Sequence, residues 1–242
     1  MNNALFIAGT DTGVGKTVLT GLLGWYLLNK GFSIATQKWV QTGDSDGSND
    51  FCGHLDIMGL TKSSFGQYSE FTVPYSFSFP ASPHLAAKLE DREVSPEKIS
   101  KAYLKLAEDF DIVLVEGTGG LLVPLSEDAL AVDIVSFLEL EVLLVVGNRL
   151  GAINHTLLTL EALKSRGIKV LGMVFNRIAQ GEDELILKDN RRIISKISGV
   201  EDFGELTYDA GSGCLQDKFI EIGDRVFRAM NLMDNTYQSQ RK

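Results

Sequence analysis

The chain has 242 residues, 44% of them hydrophobic, and a net charge of −9. That length and apolar share suit one α/β domain over residues 1–242, and no run of 18 or more apolar residues suggests a membrane span. The acidic balance speaks against a nucleic-acid surface, which needs clustered Lys and Arg.

The two cysteines, Cys52 and Cys214, stand far apart and in no metal or redox spacing. Free thiols in a reducing cytoplasm are the expectation. Met1-Asn2-Asn3 carries no basic stretch ahead of the first apolar run, so no cleaved secretion signal is expected.

In chain order, residues 4–8 are a short apolar run that reads as a buried strand. From Val18 onward, apolar residues fall at 18, 19, 22, 23, 26 and 27, the spacing of one helix face. Between them lies "GTDTGVGKT", residues 9–17. A glycine-rich turn from strand to helix wraps a phosphate closely, and the unpartnered first-turn N–H groups and the helix dipole attract it. Lys16 can reach the outer phosphates and the Thr17 hydroxyl can ligate Mg²⁺. The general pattern G-x-x-x-x-G-K-[ST] wants glycine at position 10, which is Thr10 here; the glycine comes one residue earlier, at Gly9.

Further strands are expected at 33–38, 111–116, 141–147 and 168–176, with helices at 96–110, 129–140, 152–166, 182–196 and 216–230. Runs this apolar suit strands covered on both faces. The alternation predicts a doubly wound, mostly parallel α/β sheet of the P-loop NTPase type, with ligands beyond the carboxyl ends of the strands. Residues 43–83 show little periodicity and a spread of aromatics, and read as partly structured or functional. Lys188, Arg191, Arg192 and Lys196 form a compact basic cluster that reads as a solvated helix face.

Each strand ends in polar chemistry. The second closes in "QKWVQTG" (37–43), which puts Lys38 and Thr42 at the rim, and the third in "VEGTGG" (115–120). Glu116 there is placed to hold Mg²⁺ opposite the loop threonine. The fourth runs into "GNRLGAINH" (147–155), where His155 reads as structural. The fifth ends at Asn176, an amide able to read an adenine edge.

Together these pieces resemble the dethiobiotin synthase family. The matches are "GTDTGVGKT", "QKWVQTG", "FPASPHLAAK" (79–88), "DIVLVEGTGGLLVPL" (111–125), "GNRLGAINHTLLT" (147–159) and "VFNRI" (174–178), in the family's order. The shifted first glycine is the family's own form. The resemblance implies a homodimer that uses ATP, Mg²⁺, CO₂ and 7,8-diaminononanoate, by way of a carbamate and a carbamic–phosphoric anhydride. It implies nucleotide contacts at Thr12, Gly13, Val14, Gly15, Lys16, Thr17, Val18, Glu116, Gly117, Thr118 and Gly119, with Asn176 at the adenine. Catalytic duty falls to Lys16 and Lys38. Metal ligation falls to Thr17, Glu116 and a second carboxylate, Asp50 or alternatively Asp56, of which Asp50 fits better. Substrate contacts fall to Thr42, Ser82, Gly119, Gly120 and Leu121, and across the dimer to Gly151 and Asn154.

Three features depart from the family's pattern: Trp39 stands where proline is common, the second metal aspartate has two possible registers, Asp50 or Asp56, and "GELTYD" (204–209) lacks a proline often found there; Thr42, matched to a substrate contact, stands where serine is common. The rival reading is a ParA/MinD-like ATPase acting as a nucleotide-driven dimer switch. That group carries a signature lysine five residues before the loop lysine, where this chain has Asp11.

Overall fold

The computed structural model describes residues 3–43, 49–178, 181–207 and 215–231. Cys214 and the Tyr208-Asp209 end of "GELTYD" lie outside them.

Six strands form one parallel sheet: β1 (Asn3–Gly9), β2 (Ile34–Lys38), β5 (Ile112–Glu116), β6 (Glu141–Gly147), β7 (Val170–Asn176) and β8 (Asp202–Leu206), in the order β2-β5-β1-β6-β7-β8. Alternate residues of each strand feed opposite faces, as a period of two requires. Leu5, Ile7, Leu114 and Val145 pack under α1 (Lys16–Asn29) and α9 (Leu215–Ala229), against Leu19, Leu22, Leu23, Phe219 and Val226. Phe6, Ala8, Val113, Val115 and Val146 face the other way. There they share a core with α5 (Pro96–Asp109), α6 (Ala131–Phe137) and α7 (Ala152–Lys164), through Ile99, Leu106, Val132, Val135 and Leu163. The near-continuous apolar strands of the sequence are thus explained by burial on both sides. The expected doubly wound parallel architecture is what the chain adopts.

One part of the expectation changes. The segment after β2 is not a plain rim. The chain breaks at Trp39, whose ring is fully buried 4.9 Å from that of Phe6 and whose Nε1 donates to Gln37 Oε1 at 3.0 Å. It then enters a second, two-stranded parallel sheet of β3 (Val40–Thr42) and β4 (Tyr75–Phe77). The irregular stretch 43–83 holds α2 (Asn49–Met58), a 3-10 turn (Lys62–Tyr68), α3 (Ser69–Thr72), β4 and the entry to α4 (Pro83–Leu89). α2 lies close on α1: a Cβ at Gly21 would meet Ile57 at 2.9 Å, and one at Gly24 would meet Met58 Sδ at 2.7 Å. That close approach needs small residues on α1, while α2 buries only the short stripe of Phe51, Leu55 and Met58, two turns of signal in a stretch rich in Gly, Ser and Asp. Phe65, Tyr75 and Phe77 are core, whereas Phe79 is half exposed.

The helix expected at 182–196 is α8 (Glu184–Ser198), capped by the Asp183 side chain on Leu185 N at 2.7 Å. Its basic face is solvated: Lys188, Arg192 and Lys196 are exposed, and Arg192 pairs with Asp189 at 2.6 Å. Arg191 turns inward to Asp202 at 2.8 Å.

Candidate active site

The parallel register places the site. All six strands end their carboxyl termini on one edge, and the loop after β1 sits centrally there, with Thr10 N donating to Val145 O at 3.0 Å. Gly15 is the N-cap of α1; it has a left-handed φ of 100° and gives the helix no side-chain cap. The first-turn N–H groups are therefore left for an anion. A Cβ at Gly15 would stand 2.2 Å from Asn176 Nδ2, so only glycine fits. Gly9 is fixed for a similar reason: a Cβ there would meet Val14 at 2.8 Å and Lys16 Nζ at 2.9 Å. The early first glycine is thus a packing requirement of this loop. Within it, Thr12 N donates to Asp11 Oδ1 at 2.8 Å, and Lys16 Nζ donates to Asp11 O at 2.9 Å. Burial, then the charge of Lys38, lower the Lys16 pKa to about 8.

Beside the loop lies a buried charge cluster. Lys38 Nζ is 2.7 Å from Glu116 Oε1, 2.8 Å from Asp50 Oδ2 and 3.0 Å from Gly117 O. Thr17 Oγ1 is 3.1 Å from both Asp50 Oδ1 and Glu116 Oε1. Lys38 and Glu116 are almost wholly buried, at 3% and 1% exposure. Burial alone would raise the Glu116 pKa; the Lys38 charge and a hydrogen bond from His54 outweigh it and hold it at about 2. For Lys38, Glu116 and Asp50 outweigh burial and raise the pKa. Of the two candidate carboxylates, Asp50 reaches the cluster; Asp56, farther along α2, is exposed. Two carboxylates and a hydroxyl are hard oxygen donors that suit a divalent cation taking the rest of its shell from water and phosphate. Among the described residues no group of three His, Cys, Asp or Glu would cage an ion unaided.

The remaining expected residues fall into groups. Gly119 and Gly120 lie against the phosphate loop: a Cβ at Gly119 would sit 3.5 Å from Thr12 Oγ1, and one at Gly120 3.9 Å from the Gly9 and Thr10 carbonyls. Leu121 sends its side chain into the core. Thr118 donates its hydroxyl to Val40 O, tying the loop after β5 to β3. Thr42 pairs with Phe77 across β3–β4, and Gly43 packs on Pro80, which brings Thr42 towards the segment leading to Ser82. Ser82 opens α4 without capping it. Gly151 and Asn154 stand exposed at the start of α7, outside the cluster, as does His155.

Asn176 closes the other side. Its Nδ2 donates to Val14 O at 2.8 Å. It lines a cavity of about 630 Å³ together with Gly13, Gly15, Val18, Ile178 and Leu206, the size of a small-ligand pocket.

One site residue gave no signal by motif. His54 is fully buried, and its Nε2 lies 2.6 Å from Glu116 Oε2. The clue is its spacing: four residues after Asp50, it shares a helix face with it.

A phosphate loop at the centre of a parallel sheet, with a threonine, two carboxylates and two lysines beside it, defines a P-loop nucleotide-binding α/β protein. A family model described as AAA domain matches residues 3–213. The chain is 42% identical over 190 residues to ATP-dependent dethiobiotin synthetase BioD 2 of Haemophilus influenzae, covering 78% of this chain and 99% of that one. It is 44% identical over 201 residues to ATP-dependent dethiobiotin synthetase BioD of Chlorobaculum tepidum, covering 83% of each. The chain belongs to the ATP-dependent dethiobiotin synthetase family. Among solved structures it is similar in fold to the cell division ATPase MinD of Pyrococcus furiosus, with a TM-score of 0.58 at 16% identity over 94% of this chain and 99% of that one. It is likewise similar to pNOB8 ParA bound to nonspecific DNA, with a TM-score of 0.57 at 14% identity over 96% of this chain and 100% of that one. At such identities the likeness is one of fold.

Proposed function

We propose that the protein makes dethiobiotin from 7,8-diaminononanoate and CO₂, with conversion of ATP to ADP and phosphate. The observation that carries the reading is the second buried lysine. Lys38 stands beside the phosphate loop and shares both carboxylates with Thr17, so a cation is built into the place where a second anion would meet the triphosphate.

The chemistry then follows from charge. One amine of the substrate adds CO₂ and loses a proton to give a carbamate. A carbamate oxygen attacks the γ-phosphorus and ADP leaves, giving a mixed anhydride. The second amine attacks the anhydride carbonyl, closing the five-membered ring and expelling phosphate. Both partners in the middle step are anions, so positioned cations and N–H donors lower its barrier. Lys38 neutralises the carbamate. Lys16 exchanges the Asp11 carbonyl for phosphate oxygens. The glycine backbone of 13–15 and the α1 N-terminus hold the phosphates, and Asn176 and the adjoining cavity take the adenine. Thr17, Asp50 and Glu116 would hold Mg²⁺, which supplies positive charge to the phosphate oxygens when bound.

Thr42, Ser82 and the backbone of 119–121 contact the diamine. Gly151 and Asn154, exposed at the start of α7, serve the partner subunit's site in a homodimer. Among the described residues no helix is long and apolar enough to cross a membrane, and we place the activity in the cytoplasm.

The test is an assay with ATP, Mg²⁺, bicarbonate and 7,8-diaminononanoate, scoring the cyclic urea by mass. ATP-dependent appearance of that product is expected. ATP hydrolysis that is indifferent to the diamine, with no cyclic urea, would overturn the proposal in favour of a nucleotide-driven switch.

A further inference from the structure

The two oxygens of Glu116 keep different company. Oε1 accepts from Lys38 Nζ at 2.7 Å and from Thr17 Oγ1 at 3.1 Å, on the side facing the phosphate loop. Oε2 faces α2 and lies 2.6 Å from His54 Nε2. The terminal torsion of a glutamate is soft and roughly two-fold, so a carboxylate tethered through one oxygen can still turn its plane. A second tether on the other oxygen fixes the plane. Because Glu116 is an ionised acceptor, the contact assigns the proton of the hydrogen bond to Nε2.

A second observation says that the ring is kept for this contact. His54 is fully buried, and its other nitrogen, Nδ1, has no hydrogen-bond partner among the described residues. A buried polar atom left unmatched is destabilising, and an apolar side chain would fill the same space without that cost. Packing alone therefore does not explain a histidine here. The helix gives the third element: Asp50 and His54 lie one turn apart on α2. One turn of α2 thus delivers a carboxylate to Thr17 and Lys38 and clamps the carboxylate that β5 delivers.

We propose that His54 is a positioning residue for Glu116, holding Oε2 so that Oε1 stays presented to Thr17 and to the nucleotide's Mg²⁺. The inference rests on Glu116 facing that ion. Groups that orient metal-facing carboxylates from behind are commonly worth about 10- to 100-fold in metal affinity.

The experiment measures ADP binding by calorimetry, once in EDTA and once in excess Mg²⁺, for the unaltered protein, His54→Leu, His54→Gln and Glu116→Gln. The readout is the gain in affinity that Mg²⁺ confers. His54→Leu should lose about 10-fold or more of that gain, with affinity in EDTA unchanged. His54→Gln, which keeps an N–H donor at similar reach, should recover most of it. Glu116→Gln should lose the gain as well. If Glu116→Gln loses it while His54→Leu keeps it, the role of His54 falls and that of Glu116 stands. If Glu116→Gln keeps it, the reading of Glu116 falls and the inference falls with it. A His54→Gln protein no better than His54→Leu, or equal losses in EDTA, would also overturn the role of His54. Should His54→Leu lack a cooperative melt, His54→Asn replaces it, too short to reach Oε2, with the same loss expected.

Discussion

Lys38 and Glu116 are paired twice. They are register partners on neighbouring strands β2 and β5, and their side chains meet at 2.7 Å out of reach of solvent. The sheet itself therefore builds the ion pair at its carboxyl edge. Removing one partner leaves the other buried and less compensated, which typically destabilises by about 3–5 kcal/mol. Lys38→Ala is expected to lose stability on that order in urea denaturation, to bind nucleotide nearly as well, and to form no dethiobiotin. Combining it with Glu116→Gln should restore much of the stability and none of the activity. Undiminished turnover by Lys38→Ala would refute the role of the lysine.

The depressed pKa of Glu116 sets an acid limit. An ordinary glutamate titrates near 4.5 and this one, folded, near 2. Between those values the unfolded chain binds a proton that the folded one does not, so stability falls as pH falls. The contribution is complete above about pH 4.5 and gone below about pH 2, with a slope of about 1.4 kcal/mol per pH unit from this group. Urea melts at pH 5, 4 and 3 should show a flatter fall for Glu116→Gln than for the unaltered protein. Equal slopes would contradict the assignment.

Lys16 has the same sign at higher pH, but there the depressed value marks a burial cost that lifts as the lysine loses its proton. Its pKa, lowered from 10.5 to about 8, means that between those values the unfolded chain holds the extra proton, and this group's contribution to stability rises with pH. Phosphate favours the ammonium form. Nucleotide binding above about pH 8 should therefore take up a proton, and affinity should decline as pH rises further. Calorimetry at pH 8.5 in buffers of different ionisation enthalpy reads the uptake directly; identical heats would argue against it.

The loop glycines separate space from conformation. Gly9→Ala sets a methyl against Val14 and Lys16 Nζ, and Gly15→Ala sets one against Asn176 at a positive φ. Both should weaken ADP binding by more than 10-fold, a loss of about 1.4 kcal/mol or more. Gly13→Ala carries only the conformational strain, since a Cβ there meets nothing within 4 Å, and should lose less. Three equal losses would mean that crowding is not what fixes Gly9.

The sequence by itself determined the parallel sheet, the phosphate loop and the polar strand ends, because these are local: periodicity, glycine spacing and the residue that closes each apolar run. It pointed to Lys38, Glu116 and Asn176 one strand at a time. The tertiary structure decided which of them meet. Register put Lys38 opposite Glu116. The packing of α2 on α1 chose Asp50 over Asp56 for contact with Lys38 and Thr17 and brought in His54. α2 was hard to read because its apolar face is short, Phe51, Leu55 and Met58, and two of its polar residues, Asp50 and His54, turn towards the charged cluster. The short edge strand β8, with Phe203 and Leu206 as its buried apolar residues, was missed for want of pattern. Contacts between residues as far apart as Thr17 and Glu116 are made by the folded sheet, and no window of sequence contains them.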